Sequence, residues 1–552
     1  MILQMTVCEK QDLGERHSFG RTSLDAPLIL FLISAFIGFW VSYDHSLSWS
    51  TLVTLVISAI LFLVMTRLSL GTSGLRRLAW ILLLIQGALA LYFITQFKHL
   101  GYPVKMVFIS RLGRFSGSLF PSIGEFYPHP NAVATFIEGG LPLSAGLWLS
   151  ARKRQERLLA GLSLALLGYG LFLTASRGAW VAVATCTGLS LMTWIVHRFF
   201  RRWQGLALVA LITLVLVTGA GLMCIGSDHV PGLNSALWRA ANRADLYKNS
   251  LHLIRDYPLL GIGLGDTFGL VYSKYILLIP HVFLTYPHNL ILAVWLNQGL
   301  LGLLSFVWLL VAFYRPVVGL ARRAQGTPVF WGAVLGVTAI LLHGTTDAPQ
   351  YSDDRWTMPM LFALLVLSVV AAPPSSILQH SPFSIRRMVP KALLTIGLGL
   401  AAAFLLADIA YTNLGTLRHT RADLASSEDD AAREQNLAEA ACYYRRALEI
   451  DRAQPVAHWR LGLIALNGGQ FSQAVAHLEI ARSALPGHRG VQKALGYAYL
   501  WDGQVERAEP LLAPLSEVPG ELESWSWWYG RQGQEQLSEY ARELLALLSQ
   551  DR

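Results

Sequence analysis

Charge is scarce in this sequence. Only 14% of its 552 residues are Asp, Glu, Lys or Arg, against 53% hydrophobic, and the mean hydropathy is +0.44. Soluble domains carry about 25% charged residues, so this shortage excludes an ordinary globular chain and leaves most of the surface facing lipid. Cysteine is equally sparse: Cys8, Cys186, Cys224 and Cys442 fall in different segments, and no pair has CxxC or finger spacing. That pattern supports neither a disulfide framework nor a metal site. The stretch Met1 to Ala26 is polar, carries both charge signs and lacks the basic start and cleavage site of a secretory signal, so the first span is expected to be retained. The net charge of +9 is not gathered on one domain face, which removes nucleic acid as a partner.

What the sequence has in abundance is apolar runs. A bilayer core needs about 17 to 25 such residues per helix, and about eleven candidates lie near 27-43, 49-66, 77-97, 131-150, 158-174, 179-197, 204-225, 289-313, 328-343, 357-372 and 392-410. Arg76/Arg77, Arg152 to Arg157, Arg198/Arg201/Arg202, Arg315/Arg322/Arg323 and Arg386/Arg387/Lys391 occupy every second inter-span loop. The positive-inside rule places those loops in the cytoplasm. With residues 1-26 inside and an odd number of spans, everything after residue 410 is expected outside the cytoplasmic membrane. The reading is all-α: a polytopic transmembrane bundle over 27-410, then helical repeats over 411-552.

Two outer loops are long, 98-130 and 226-288, and long ordered loops tend to carry function. The second holds a helix-like stretch, Leu237 to Asp256, ended by Tyr257-Pro258, then Gly261, Gly263 and Gly265, which read as a sharp turn returning the chain to the membrane. After residue 410 a period emerges: Leu461-Gly462, Gly469-Gln470 and Ala474 recur as Leu495-Gly496, Gly503-Gln504 and Ala508, one tetratricopeptide length apart. About three stacked hairpins are expected, an array suited to a protein partner or to spacing domains.

The most informative segment is Tyr286-Pro287-His288-Asn289-Leu290, running on to Gly299 and Gly302. A histidine at the mouth of a span, followed by two turns of apolar residues, is costly to place there without a role. His288-Asn289, nine residues, Gly299, two residues and Gly302 form a pattern similar to the signature of the O-antigen ligase and polymerase superfamily. Ser176-Arg177-Gly178-Ala179-Trp180, Pro258-Leu259-Leu260-Gly261-Ile262-Gly263 and His343-Gly344 with Asp347 resemble the same family in the same order.

The resemblance implies a metal-independent transfer, without cofactor, from an undecaprenyl-diphosphate-linked glycan to a glycan, lipid or protein acceptor, on the outer side of the bacterial cytoplasmic membrane. It implies His288 as general base, since a neutral imidazole can take a hydroxyl proton near neutral pH. Arg243 is implied as the essential guanidinium facing the departing diphosphate. Arg239, one turn earlier, would share its face. Arg177, Asn289, His343 and Asp347 are further candidates for substrate binding, and His129-Pro130-Asn131 reads as a turn that could border a glycan surface. Two other readings compete. A lipid-glycan or solute transporter would place its charges near the bilayer midplane, whereas these lie at span ends. A membrane-anchored repeat scaffold leaves the His-Asn signature without a purpose.

Overall fold

The computed structural model describes residues 22–68, 70–99, 106–121, 123–199, 243–275, 285–373, 407–424 and 430–550, and all regular structure among them is helical. The membrane part comprises α1 (Asp25–Val41), α2 (His45–Met65), α3 (Thr72–Gln96), α4 (Val107–Ser118), α5 (Pro130–Ile137), α6 (Gly140–Ser150), α7 (Arg154–Leu173) and α8 (Arg177–Phe199). It continues with α9 (Arg243–Asp256), α10 (Phe268–Tyr275), α11 (Leu290–Arg322), α12 (Pro328–His343) and α13 (Met358–Val370). Five described helices are long and apolar enough to cross a membrane, α5 and α6 counting as one, and α1, α12 and the 355–370 stretch are shorter apolar helices. The expected span at 204-225 and most of that at 392-410 lie outside the described residues.

Local sequence explains where these helices begin. Asp44 accepts from the Ser46 amide at 2.8 Å ahead of α2, and Thr327 accepts from Phe330 at 3.2 Å ahead of α12, where Pro328 occupies the first turn. The expected span 131-150 is interrupted at Glu138 and Gly139, between α5 and α6. α6 and α12 lie backbone to backbone there: a β-carbon on Gly336 would sit 2.6 Å from the Gly139 carbonyl, and one on Gly332 2.6 Å from that of Pro142. Without a hydrophobic drive inside lipid, such small-residue contact is what joins helices. Apolar side chains such as Leu84 and Leu162, 73% and 66% exposed, cover the outside. At one end of the bundle Arg67 pairs with Asp25 at 2.9 Å and Arg76 with Glu156 at 2.8 Å.

α11 explains the glycine motifs. It is continuous from Leu290 to Arg322 except at Gly299, where φ is +66°. Into this break runs the segment 259–265: Leu300 donates to the Leu259 carbonyl at 3.0 Å, and Ile262 donates to that of Leu296 at 2.7 Å. Asn297 accepts from the Gly265 amide, while Leu264 donates to Gly38 of α1 at 3.1 Å. Irregular backbone at membrane depth is tolerated only when protein groups satisfy it, and here they do. A β-carbon on Gly299 would lie 2.1 Å from the Leu259 oxygen, and one on Gly261 2.3 Å from the Leu296 oxygen. The glycine run is therefore a buried crossing against a broken helix rather than a surface turn.

The C-terminal helices α14 (Ala407–Leu424), α15 (Asp430–Ile450), α16 (Pro455–Asn467), α17 (Phe471–Ala484), α18 (Arg489–Trp501), α19 (Val505–Leu512), α20 (Val518–Arg531) and α21 (Glu535–Gln550) pack as successive antiparallel pairs. The change of composition near residue 410 falls inside α14, because nothing between Ala407 and Leu424 breaks a helix. The sequence period has a packing cause: a β-carbon on Gly462 would meet Leu478 at 2.6 Å, and one on Gly496 would meet Leu512 at 2.6 Å. These helices rest on the His288 end of the bundle, where Arg421 donates to the Trp40 carbonyl at 3.3 Å.

Gly299→Ala is expected to destabilise the protein by about 2 kcal/mol or more, combining left-handed strain with the clash at Leu259. Gly319→Ala, in the same helix with nothing within 4 Å of the new carbon, is expected to be neutral. Thermal unfolding of the two purified variants in detergent checks this; equal midpoints would contradict the account of the crossing.

Candidate functional site

The site is built around one buried carboxylate. Asp347 follows the end of α12 and is 1% exposed, and its two oxygens collect donors from distant parts of the chain. Oδ1 accepts from the Tyr286 hydroxyl at 2.7 Å, the Ala348 amide at 2.9 Å and His288 Nδ1 at 3.1 Å. Oδ2 accepts from the Asn131 amide group, and Arg243 Nη2 lies 3.7 Å from it. Burial acts to raise the carboxyl's pKa. The His288 hydrogen bond and the charges of His288, Arg243 and His343 outweigh it and hold Asp347 well below the usual carboxylate range. Its stabilising contribution is therefore fully present above the unfolded carboxyl's pKa of about 4, and would be lost only as pH falls through the much lower folded value.

His288 occupies a strained position. Its φ is +50°, a left-handed conformation that costs a non-glycine residue about 1–3 kcal/mol and persists only where the surroundings enforce it. They do so on every side. Tyr247 of α9 donates to the His288 carbonyl at 3.0 Å, Leu290 donates to Gly344 at 2.6 Å, and the Tyr286 ring lies 4.2 Å from the imidazole. Burial raises the phenol pKa of both Tyr247 and Tyr286, so each remains a donor. The imidazole is 24% exposed, and with Nδ1 directed at Asp347 its Nε2 has no hydrogen-bond partner among the described residues.

Asn289 is occupied by the fold. Its Oδ1 accepts from Ile291 and Leu292 at 3.0 and 3.1 Å, capping α11, and its Nδ2 donates to the Thr345 carbonyl at 2.9 Å. His343 is also enclosed: Nδ1 is 3.1 Å from Glu138 Oε2 and Nε2 is 3.2 Å from the Ser176 hydroxyl, with the His343 and Glu138 side chains 1% and 0% exposed. Gly178 packs against His343, since a β-carbon there would stand 2.9 Å from its Cδ2 and 2.5 Å from Thr346 Oγ1. That contact is the physical content of Ser176-Arg177-Gly178. Arg177 itself is half-buried at the start of α8, and Arg239 lies outside the described residues.

The structure thus brings His288, Arg243 and Asp347 together and holds Asn289 and His343 as supports. Sequence reasoning missed Tyr247, Tyr286 and Glu138 and read Asn131 as part of a turn that could border a glycan surface, not as a partner of Asp347. Glu138 carried a usable signal, an isolated acid within an apolar run. Among the described residues no three His, Cys, Asp or Glu side chains are grouped to hold a metal.

A family model described as O-antigen ligase matches residues 162–307, which include Arg177, Arg243, His288 and the Gly299 break. Asp347 and the C-terminal helices lie beyond the match. Two curated relatives agree. The O-antigen ligase of Salmonella typhimurium LT2 is 27% identical over 220 residues, 38% of this chain and 51% of that protein. The O-antigen ligase of Pseudomonas aeruginosa PAO1 is 29% identical over 238 residues, 41% of this chain and 53% of that protein. Over this region the chain is similar to O-antigen ligases. It spans about half the length of the curated relatives it matches, and no solved structure matches it. The apolar helices and the relatives agree on a multi-pass membrane protein.

Removing one partner of a fully buried hydrogen-bonded pair leaves the other polar group unsatisfied, at a cost of about 1–3 kcal/mol, to which the lost imidazole volume adds a cavity. His343→Ala is therefore expected to lower the unfolding midpoint more than Asn289→Ala, which removes a cap worth about 1 kcal/mol. Thermal scans in detergent rank them, and the opposite order would show that the Glu138 pair is not structural.

Proposed function

We propose that this chain transfers an undecaprenyl-diphosphate-linked oligosaccharide to an acceptor hydroxyl at the outer face of the bacterial cytoplasmic membrane, as a glycosyltransferase of the ligase or polymerase type. The observation that carries this reading is the His288–Asp347 pair with Arg243 beside it. A carboxylate that receives Nδ1–H leaves Nε2 as an acceptor, the arrangement a general base needs. The acceptor hydroxyl gives its proton to His288 Nε2 while its oxygen bonds to the sugar's anomeric carbon. The bond from that carbon to the diphosphate breaks, and the lipid diphosphate departs with the electron pair.

Two charges develop in this step, and both have a counterpart. The imidazolium is stabilised by Asp347, which stays ionised, and the diphosphate by the guanidinium of Arg243, 42% exposed and so reachable. Asp347, buried beneath them, acts as a positioning residue rather than the sugar contact its sequence position suggested. No metal is assigned a step. The segments 1-26, 27-410 and 411-552 are read as a cytoplasmic start, the transferase bundle and tetratricopeptide-like hairpins outside the membrane. The acceptor is a glycan, a lipid or a protein.

His288→Ala and Asp347→Asn are each expected to reduce transfer about 100-fold or more while the protein remains inserted and folded. Arg243→Lys, which keeps the charge but not the planar fork, should retain more activity than Arg243→Ala. The check is product formed on gels from vesicles holding each variant, an undecaprenyl-diphosphate-linked oligosaccharide and a hydroxyl acceptor. Native product levels from His288→Ala would refute the assignment.

A further inference from the structure

Resting on the functional reading above, we propose that the C-terminal helices are a working part of the site. Asp256 and Arg460 are positioning residues that hold α9, and with it the Arg243 guanidinium, against Asp347. The helix is a rod of 14 residues, about 21 Å at 1.5 Å per residue, with Arg243 at one end and Asp256 at the other. An acid at a helix C-terminus faces the negative end of the helix dipole and needs a cation. Arg460 of α16 supplies it, with Nη2 2.7 Å from Asp256 Oδ2 and the two side chains 6% and 1% exposed.

The guanidinium is itself fixed. It lies 4.5 Å over the Trp459 ring and 6.0 Å over that of Tyr257. Tyr257 shares a hydrogen bond with Thr420 of α14, and Asn413 of the same helix accepts from the amides of Leu259 and Leu260 at 3.2 and 2.9 Å. Partway along α9, the His252 ring meets His488 at 5.1 Å. Leu246, Leu253, Ile254 and Tyr257 belong to one buried apolar cluster with Trp459 and the repeat helices.

The far end of α9 is therefore bolted to the C-terminal helices by a buried pair, by apolar packing and by the Asn413 side chain, which accepts from two amides just beyond the helix. At the site end, among the described residues, the polar holds are lighter: Tyr247 bonds to the His288 and Thr345 carbonyls at 3.0 and 3.4 Å and Arg243 approaches Asp347 at 3.7 Å, with Leu246 buried beside them. A rod clamped at one end sets the position of the other. A small displacement of a group that must face a leaving group can cost about 100-fold in rate.

The test uses the full chain in detergent or vesicles. In Arg460→Ala the amides of α9 are expected to exchange with deuterium at least tenfold faster than in the native protein, with α11 and α12 unchanged. The same variant is expected to lose about tenfold or more in kcat/KM for the lipid-linked donor. Arg243→Ala combined with Arg460→Ala is expected to be no worse than Arg243→Ala alone, because the second residue acts through the first. Should Arg460→Ala fail to insert, Arg460→Lys is measured the same way. Unchanged exchange in α9, or losses that multiply in the double variant, would overturn the proposal. Normal transfer by Arg243→Ala would instead overturn the functional reading, and the exchange result alone would then decide this one.

Discussion

A single buried carboxylate organises the functional end of this protein. A carboxylate removed from water costs several kcal/mol unless its lone pairs are met by donors. Asp347 is met by Asn131, Arg243, Tyr286, His288 and the Ala348 amide. Those donors come from α5, α9 and the chain ahead of α11, so the demand of one charge fixes how three separate stretches approach the end of α12. The strain at His288 has the same origin. Its backbone stays left-handed because the imidazole is drawn to Asp347 while the flanking groups are held by Tyr247, Gly344 and Thr345.

A second polar layer sits just behind the first. His343 lies one helical turn before Asp347 and is paired with Glu138 out of solvent. Gly178 allows α8 to close on that pair, and the Gly299 break allows the segment 259–265 to enter beside α11. None of these contacts touches a reacting atom. Each removes a freedom that the end of α12 and the start of α11 would otherwise have, and so steadies the proposed base His288 and the Asp347 carboxylate that orients it.

Much of this was legible in the sequence, for reasons that also explain the rest. Hydropathy marks spans because lipid tolerates little charge, and His288 stood out because an ionisable group at a span mouth needs a purpose. The role proposed for Asp347 was not legible: its side-chain donors are separated from it by tens to hundreds of residues, and an aspartate after a span looks the same whether it meets sugar or protein. Asn289 reads as a substrate ligand beside His288, and a residue just ahead of a helix is also a natural cap, the role its side chain fills in the structure. The glycine run was seen, but its partner, a broken helix, could not be read from spacing. The period of the C-terminal helices was plain, whereas their grip on α9 rests on Arg460, which has no counterpart in the repeated positions.

The most direct test of the central claim is the tautomer of His288. Nitrogen-15 NMR of histidine-labelled protein in lipid, with His288→Gln used to assign the signal, reads which ring nitrogen bears the proton in the neutral imidazole. The expected result is a protonated Nδ1 and a bare Nε2, with that preference lost in Asp347→Asn. A native protein carrying its proton on Nε2 would show that Asp347 does not orient the histidine, and the account of the site would fall with it.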